Sequence, residues 1–289
     1  MIHRIKQDTM TARTSLPVLT TLLMLLFFAS CIRINPPDNA VTSFGDKDLS
    51  AYTLGGGSIS QQISEIDVEW LDGDITIEYY DGSEVLLSET ADKPLDSLTT
   101  LCYRVAHNEL SVCYSKCRKH EKGQTDSLNK RLLIRLPQGT RLDDVSVDGV
   151  NVTLNMRGID CKDIDVDGVD MTLNLADMSC GSISADGVNA ALDLREVRCK
   201  ELDVDGVEAH ILAVFSQLPD EISADGLSAT VSLSVPEDAG FTIEMDGLAK
   251  ELTSDFPVSH KDGKDIIGDG RCSVNMDGMN SQLVIKTKE

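Results

Sequence analysis

From residue 142 onward, apolar and polar positions recur with a period close to 20 residues, and each repeat is marked by an aspartate-glycine pair. The pairs are Asp148-Gly149, Asp167-Gly168, Asp186-Gly187, Asp205-Gly206, Asp225-Gly226, Asp246-Gly247 and Asp277-Gly278, with steps of 19, 19, 19, 20, 21 and 31 residues. Three residues before each Asp stand Val145, Ile164, Ile183, Leu202, Ile222, Ile243 and Val274. Two residues after it stand Val150, Val169, Val188, Val207, Leu227, Leu248 and Met279, and six after it Leu154, Leu173, Leu192, Ile211, Val231, Leu252 and Leu283. All three columns are apolar, so they predict an inward set that keeps period two on either side of Asp-Gly and slips by one across it. A unit this short buries its apolar face only by stacking on its neighbours. The predicted fold is therefore all-β: a parallel β-solenoid of about 19–20 residues per coil over 141–289, with Asp-Gly at the corners, where glycine supplies permissive backbone.

Upstream, over 61–140, the pattern is also period two but not repetitive. Ile66, Val68 and Trp70 lead into Asp72-Gly73, after which Ile75 and Ile77 alternate with Thr76 and Glu78, which predicts a half-buried hairpin. Further strands are expected over 85–88, 101–106, 110–114 and 131–136, giving a small antiparallel β region before the solenoid. Between the last two lies a basic stretch, Lys116 to Lys122, read either as a solvated hairpin tip or as a docking loop for anionic lipid or polysaccharide. Residues 32–60, with Asn35-Pro-Pro-Asp38 and Gly55-Gly-Gly-Ser58, predict a flexible tether. The glycine run lacks the lysine and following helix of a phosphate-binding loop.

Residues 1–31 read as an export signal, because Arg4, Lys6 and Arg13 precede the apolar run from Leu16 to Ala29. That run, with Pro17 inside it, is short of the roughly 20 apolar residues that span a bilayer. Its end, Phe28-Ala29-Ser30-Cys31, resembles a bacterial lipobox; an ordinary secretory signal is the alternative. The resemblance implies cleavage before Cys31, acylation of Cys31 and a membrane tether made of several acyl chains. Ile32 stands where an Asp would signal inner-membrane retention in some bacteria, so the resemblance favours the outer membrane. Arg4, Lys6, Arg13 and Asp8 leave with the signal, which takes the formal charge from −22 to −24. So acidic a chain repels phosphate, and nucleic acid is excluded as a partner. With aromatic residues at 4%, a sugar- or base-stacking surface is thinly supplied.

Equivalent side chains of stacked strands are neighbours, so charge along a column matters. The column three residues after the Asp begins Asn151, Asp170, Asn189, Glu208, alternating amide and acid, while the corner aspartates themselves repeat without relief. Two readings are open for them: each carboxylate accepts backbone N–H groups in an Asx-type turn, or successive carboxylates hold Ca²⁺, a hard cation that selects oxygen ligands. No cofactor is otherwise indicated. Of eight cysteines, Cys161, Cys180 and Cys199 share one repeat column, as stacked small core residues or as an inter-coil disulfide. A tight turn at His107-Asn108 predicts Cys102 and Cys113 opposite each other across a hairpin, a candidate disulfide, with Cys117 a competing partner for Cys113.

The stretch from Ile63 to Lys288 resembles the putative-adhesin domain family of bacterial envelope proteins, related to the head domain of auto-transporter adhesins. The likeness rests on Leu71-Asp-Gly-Asp-Ile-Thr-Ile77, Leu133-Ile-Arg-Leu-Pro137, the repeated Val-Asp-Gly-Val corners and the closing strand pair at Asp277-Gly278. The uniform corner Asp departs from the family, where a small polar residue is common. The resemblance implies a β-solenoid at the cell envelope, with adhesion to an envelope or host surface ligand or a structural or sensory scaffold role as the functions. An enzyme is not expected, since His107, His120, His210 and His260 are scattered and no nucleophile motif is present, although solenoids also host polysaccharide-active enzymes.

Overall fold

The computed structural model describes residues 51–115 and 128–288, and among these the chain is strand and turn, without an α-helix. Cys31, the tether up to residue 50 and the basic stretch Lys116–Lys122 lie outside the described residues. The first half contributes β1 (Thr53–Leu54), β2 (Gly57–Ile59), β3 (Glu65–Tyr80), β4 (Val85–Ala91), β5 (Cys102–Ala106), β6 (Glu109–Cys113) and β7 (Lys130–Pro137). The repeats contribute β8 (Leu142–Arg157), β9 (Cys161–Ala176), β10 (Ser182–Arg195), β11 (Glu201–Val214), β12 (Glu221–Val235), β13 (Phe241–Ser254), β14 (Val258–Lys261), β15 (Lys264–Ile267) and β16 (Cys272–Thr287). All belong to one sheet, and its body is parallel.

Each repeat strand pairs with the next in register, so Asp148, Asp167, Asp186, Asp205 and Asp225 align, as do the glycines after them. Side chains three and one before the Asp, and four, six and eight after it, are buried: Val145, Val147, Val152, Leu154 and Met156 in β8, Leu202, Val204, Ala209, Ile211 and Ala213 in β11. Strand-to-strand stacking of these columns builds one continuous apolar core. The turns between strands join it, through Ile159, Met178, Val197 and Phe215. Their first residues, Gly158, Asp177 and Glu196, are left-handed (φ 70°, 54° and 54°), and each donates its N–H to the carbonyl of the next strand's end.

The structure departs from the sequence pattern in three ways that bear on the site. First, the hairpin expected at Asp72-Gly73 is absent: β3 runs on through Gly73 (φ 117°) for 16 residues. It pairs parallel with β8, β7 and β6, so the parallel stack begins at residue 65. Antiparallel pairing is confined to β1–β5, β5–β6, β2–β4 and β4–β7 in this half. Glycine is required at 73 because a Cβ there would lie 1.9 Å from the Lys130 carbonyl oxygen.

Second, the last two repeats are not stacked in chain order. β16 lies between β12 and β13, aligning Asp225 with Asp277 and Asp277 with Asp246. The inward positions explain the order. Where β12 and β16 carry Leu233 and Ile285, β13 carries Ser254, and opposite Ser281 it carries exposed Lys250. Polar residues on the inward face suit only the end of a stack, where the small antiparallel pair β14–β15 follows.

Third, the column two residues after the Asp does not face inward. Val150, Val169, Val188, Leu227, Met279 and Leu248 are between 36% and 84% exposed, and Val207 is half-buried. The step from the buried position before the corner to the one after it is five positions, not three, as from Val147 to Val152. The slip by one residue is therefore made by four outward residues in a row.

Candidate functional site

Asp-Gly-apolar repeats on seven adjacent strands, followed by a polar residue on all but β13, where Ala249 stands, and these corners make a ridge. At the usual strand spacing of about 4.8 Å, seven stacked corners extend about 29 Å. Exposed apolar side chains run along it in the order Val150, Val169, Val188, Val207, Leu227, Met279, Leu248. The register passes from each glycine directly to the residue after the apolar one, so this side chain projects between paired positions.

One flank is the aspartate column. Asp225 Oδ1 accepts the N–H of Asp277 at 3.0 Å, across strands and not within its own turn. At Asp225 the carboxylate thus ties one strand to the next instead of closing an Asx-type turn. Burial, first, and neighbouring carboxylates, second, raise the pKa of Asp167 and push Asp205 up to about 6. At Asp205 those neighbours are Asp203, Asp225 and Asp186. Among the described residues no group of three or more His, Cys, Asp or Glu side chains is placed to hold a metal ion.

The other flank is the alternating column. Asn189 donates to Asp170, and Asn151 Nδ2 donates to Asp72 Oδ1 at 2.8 Å, so alternation of amide and acid converts like-charge contacts into hydrogen bonds. At these two pairs the charge is met by an amide, whereas along the aspartate column neighbouring carboxylates raise one another's pKa.

Glycine is needed at the corners for a reason other than positive φ, which among the seven occurs only at Gly247 (132°). A Cβ on Gly168, Gly187, Gly226 or Gly278 would lie 2.8, 2.5, 2.1 or 2.4 Å from the carbonyl oxygen of the glycine stacked before it. At these four corners the stacked backbones approach too closely for a side chain.

Elsewhere, the His107-Asn108 turn has both residues left-handed (φ 56° and 67°), and Cys102 and Cys113 are buried register partners across the hairpin it closes. Cys161 at the start of β9, Cys180 before β10 and Cys199 before β11 align in successive repeats with free thiols, Cys180 half-buried and the other two buried. His107, His210 and His260 stand apart, on the β5–β6 turn, on β11 and on β14, the last 3.0 Å from Asp265. Sequence reasoning missed Lys130, which is fully buried with Nζ 2.9 Å from Glu89 Oε2, hydrogen-bonded to the Tyr114 and Thr99 carbonyls and 4.2 Å from the Tyr114 ring centroid. A lysine at an inward period-two position was the available signal. Desolvation lowers its pKa, and the cluster pins β4, β7 and the segment after β6 together.

No family model matches the sequence, and no curated protein matches it. Two solved structures are similar in part. A putative cell adhesion protein from Clostridium sporogenes has 9% identity and a TM-score of 0.32, over 82% of this chain and 98% of its own. A putative adhesin from Bacteroides fragilis has 10% identity and a TM-score of 0.37, over 82% of this chain and 97% of its own. At this distance neither likeness assigns the chain a function.

Proposed function

We propose that this chain is a non-enzymatic, lipid-anchored protein of the cell envelope whose parallel stack is a β-solenoid and whose Asp-Gly ridge binds a surface ligand, as an adhesin does. The solenoid reading is supported by chain length. A straight 16-residue strand spans about 50 Å, yet Cys161 is the register partner of Leu142 and only three residues separate β8 from β9. Those residues reach about 14 Å, so each strand has to turn back toward its own start, and the Asp-Gly corner and the turns at Gly158, Asp177 and Glu196 are where it bends.

The observation that carries the function is the exposed apolar ladder beside a column of aspartates that raise one another's pKa. A continuous apolar strip on a protein surface marks an interaction surface, and the acidic flank selects a partner that brings cationic groups together with apolar ones. The export signal and lipobox resemblance at Cys31 support presentation at the envelope, with the outer membrane as the site of anchoring. Three substitutions on exposed positions, Val169→Ser, Val188→Ser and Leu227→Ser, leave the core intact. Capture of an envelope ligand by the purified mature protein should be lost in this triple variant at an unchanged melting temperature. Equal capture by both forms contradicts a ridge-borne function. Replacing Cys31 by Ala should release the protein from the membrane fraction, and retention there contradicts the anchor.

A further inference from the structure

We infer that Cys180 and Cys199 form a thiol relay, in which Cys180 exchanges with a small disulfide from solution and Cys199 then closes a Cys180–Cys199 disulfide between neighbouring repeats.

The backbone sets the alignment. Cys161 N–H donates to the Ser179 carbonyl (3.2 Å), Cys180 N–H to the Arg198 carbonyl (2.8 Å), and Ser179 and Arg198 form a parallel bridge. Gly181 N–H bonds the Lys162 carbonyl (2.6 Å) and Lys200 N–H the Gly181 carbonyl (2.9 Å), which fixes the residue after each cysteine in the same register. The three cysteines thus occupy equivalent positions in adjacent repeats, at the start of β9 and just before β10 and β11, at the strand spacing of about 4.8 Å, inside the Cα separation of roughly 4.4–6.8 Å that a disulfide accepts. Proximity of the two thiols lowers the pKa of Cys180 and raises that of Cys199. Burial pushes Cys161 up to about 12. Cys161 and Cys199 are each only 8% exposed, and Cys180 is the most accessible of the three. Entry from solution is therefore through Cys180.

The chemistry closes with a low-molecular-weight disulfide as oxidant. The Cys180 thiolate attacks one sulfur of that disulfide, forms a mixed disulfide and expels one thiolate, which takes up the proton Cys180 lost. Cys199 then loses its proton, its thiolate attacks the Cys180 sulfur and expels the second small thiolate, which takes up that proton, leaving the Cys180–Cys199 bond. Two protein thiols are oxidised and one small disulfide is reduced to two thiols.

The aromatic disulfide DTNB reports each expelled thiol by colour. In the folded, purified chain, the increment assignable to Cys180, taken as the difference from Cys180→Ser, should be two thiols per chain. Peptide mapping without reduction should recover Cys180 joined to Cys199. The double variant Cys161→Ser/Cys199→Ser should release one thiol at Cys180 and keep a stable mixed disulfide, because no resolving thiol remains. A one-thiol increment in the unmodified chain, a lasting adduct on its Cys180, or mapping that finds Cys180 and Cys199 separately alkylated after oxidation overturns the relay.

Discussion

The amide of Asp277 donates to the carboxylate of Asp225 at 3.0 Å, although Asp246 lies between them in the chain. That bond records the insertion of β16 between β12 and β13, and it makes residues 272–287 central and 244–254 peripheral. Leu283→Ala should cost about 2–5 kcal/mol, since the side chain is fully buried between strands. Its counterpart Leu252→Ala, only half-buried on β13, should cost clearly less. Amides of β16 should exchange with solvent more slowly than those of 244–254. Denaturant melts of the two variants and native-state hydrogen exchange check both; equal costs and equal protection would argue for stacking in chain order.

The corner glycines give a graded series. An added methyl would lie 2.1 Å from the Gly206 oxygen in Gly226→Ala but 3.0 Å from the Gly187 oxygen in Gly206→Ala. The first should cost about 1–3 kcal/mol through strain between adjacent backbones, and the second well under that. Equal melting temperatures for the two variants would show that the stacking distance is not what demands glycine.

The repeat period, the parallel stacking of 142–235 and the corner positions were legible in the sequence, because Ile, Val and Leu recur at fixed offsets from each Asp-Gly. Three things were not. Val150 and Val169 are as apolar as Val145 and Val147, and composition does not tell an outward valine from an inward one when the corner length is unknown. Asp177 and Glu196 carry no glycine to advertise a left-handed turn. The order of β13 and β16 was written in Lys250 and Ser254, polar residues at inward positions, but that reading requires the register first. For the candidate site, the aspartates were visible as a ladder while the exposed apolar column beside them was assigned to the core. The result is a ridge whose composition was known and whose face was not.

Stability should rise as pH falls from 7.5 to about 5. An acid whose pKa is higher folded than unfolded binds its proton more tightly in the folded chain, so its destabilising charge is lost as pH drops through the folded value, about 6 for Asp205, toward the unfolded value near 3.9. Most of this carboxylate meets solvent, so screening holds the gain to about 1 kcal/mol. Asp205→Asn should be more stable than the parent at pH 7.5, and the difference should shrink at pH 5. Thermal melts across this range decide it, and a parent that loses stability on acidification from 7.5 to 6 would contradict the repulsive ladder.

Cys102 and Cys113 should be joined by a disulfide in exported protein, because the left-handed His107-Asn108 turn sets them as direct partners across β5 and β6 and the envelope is oxidising. Peptide mapping without reduction tests this pairing. Recovery of both as separately alkylated peptides, or of Cys113 joined to Cys117, would refute it.

The most direct test of the ridge as the binding face is site-specific photo-crosslinking in the native envelope. A photoreactive residue at Val188, in the middle of the exposed apolar ladder, should yield a discrete crosslinked product that disappears when Val169 and Leu227 are changed to Ser. The same residue placed at exposed Lys200, in the turn before β11 and away from the corners, should yield none. Equal products from both positions, or none from Val188 while the envelope ligand is still captured, would contradict the assignment of binding to the Asp-Gly ridge.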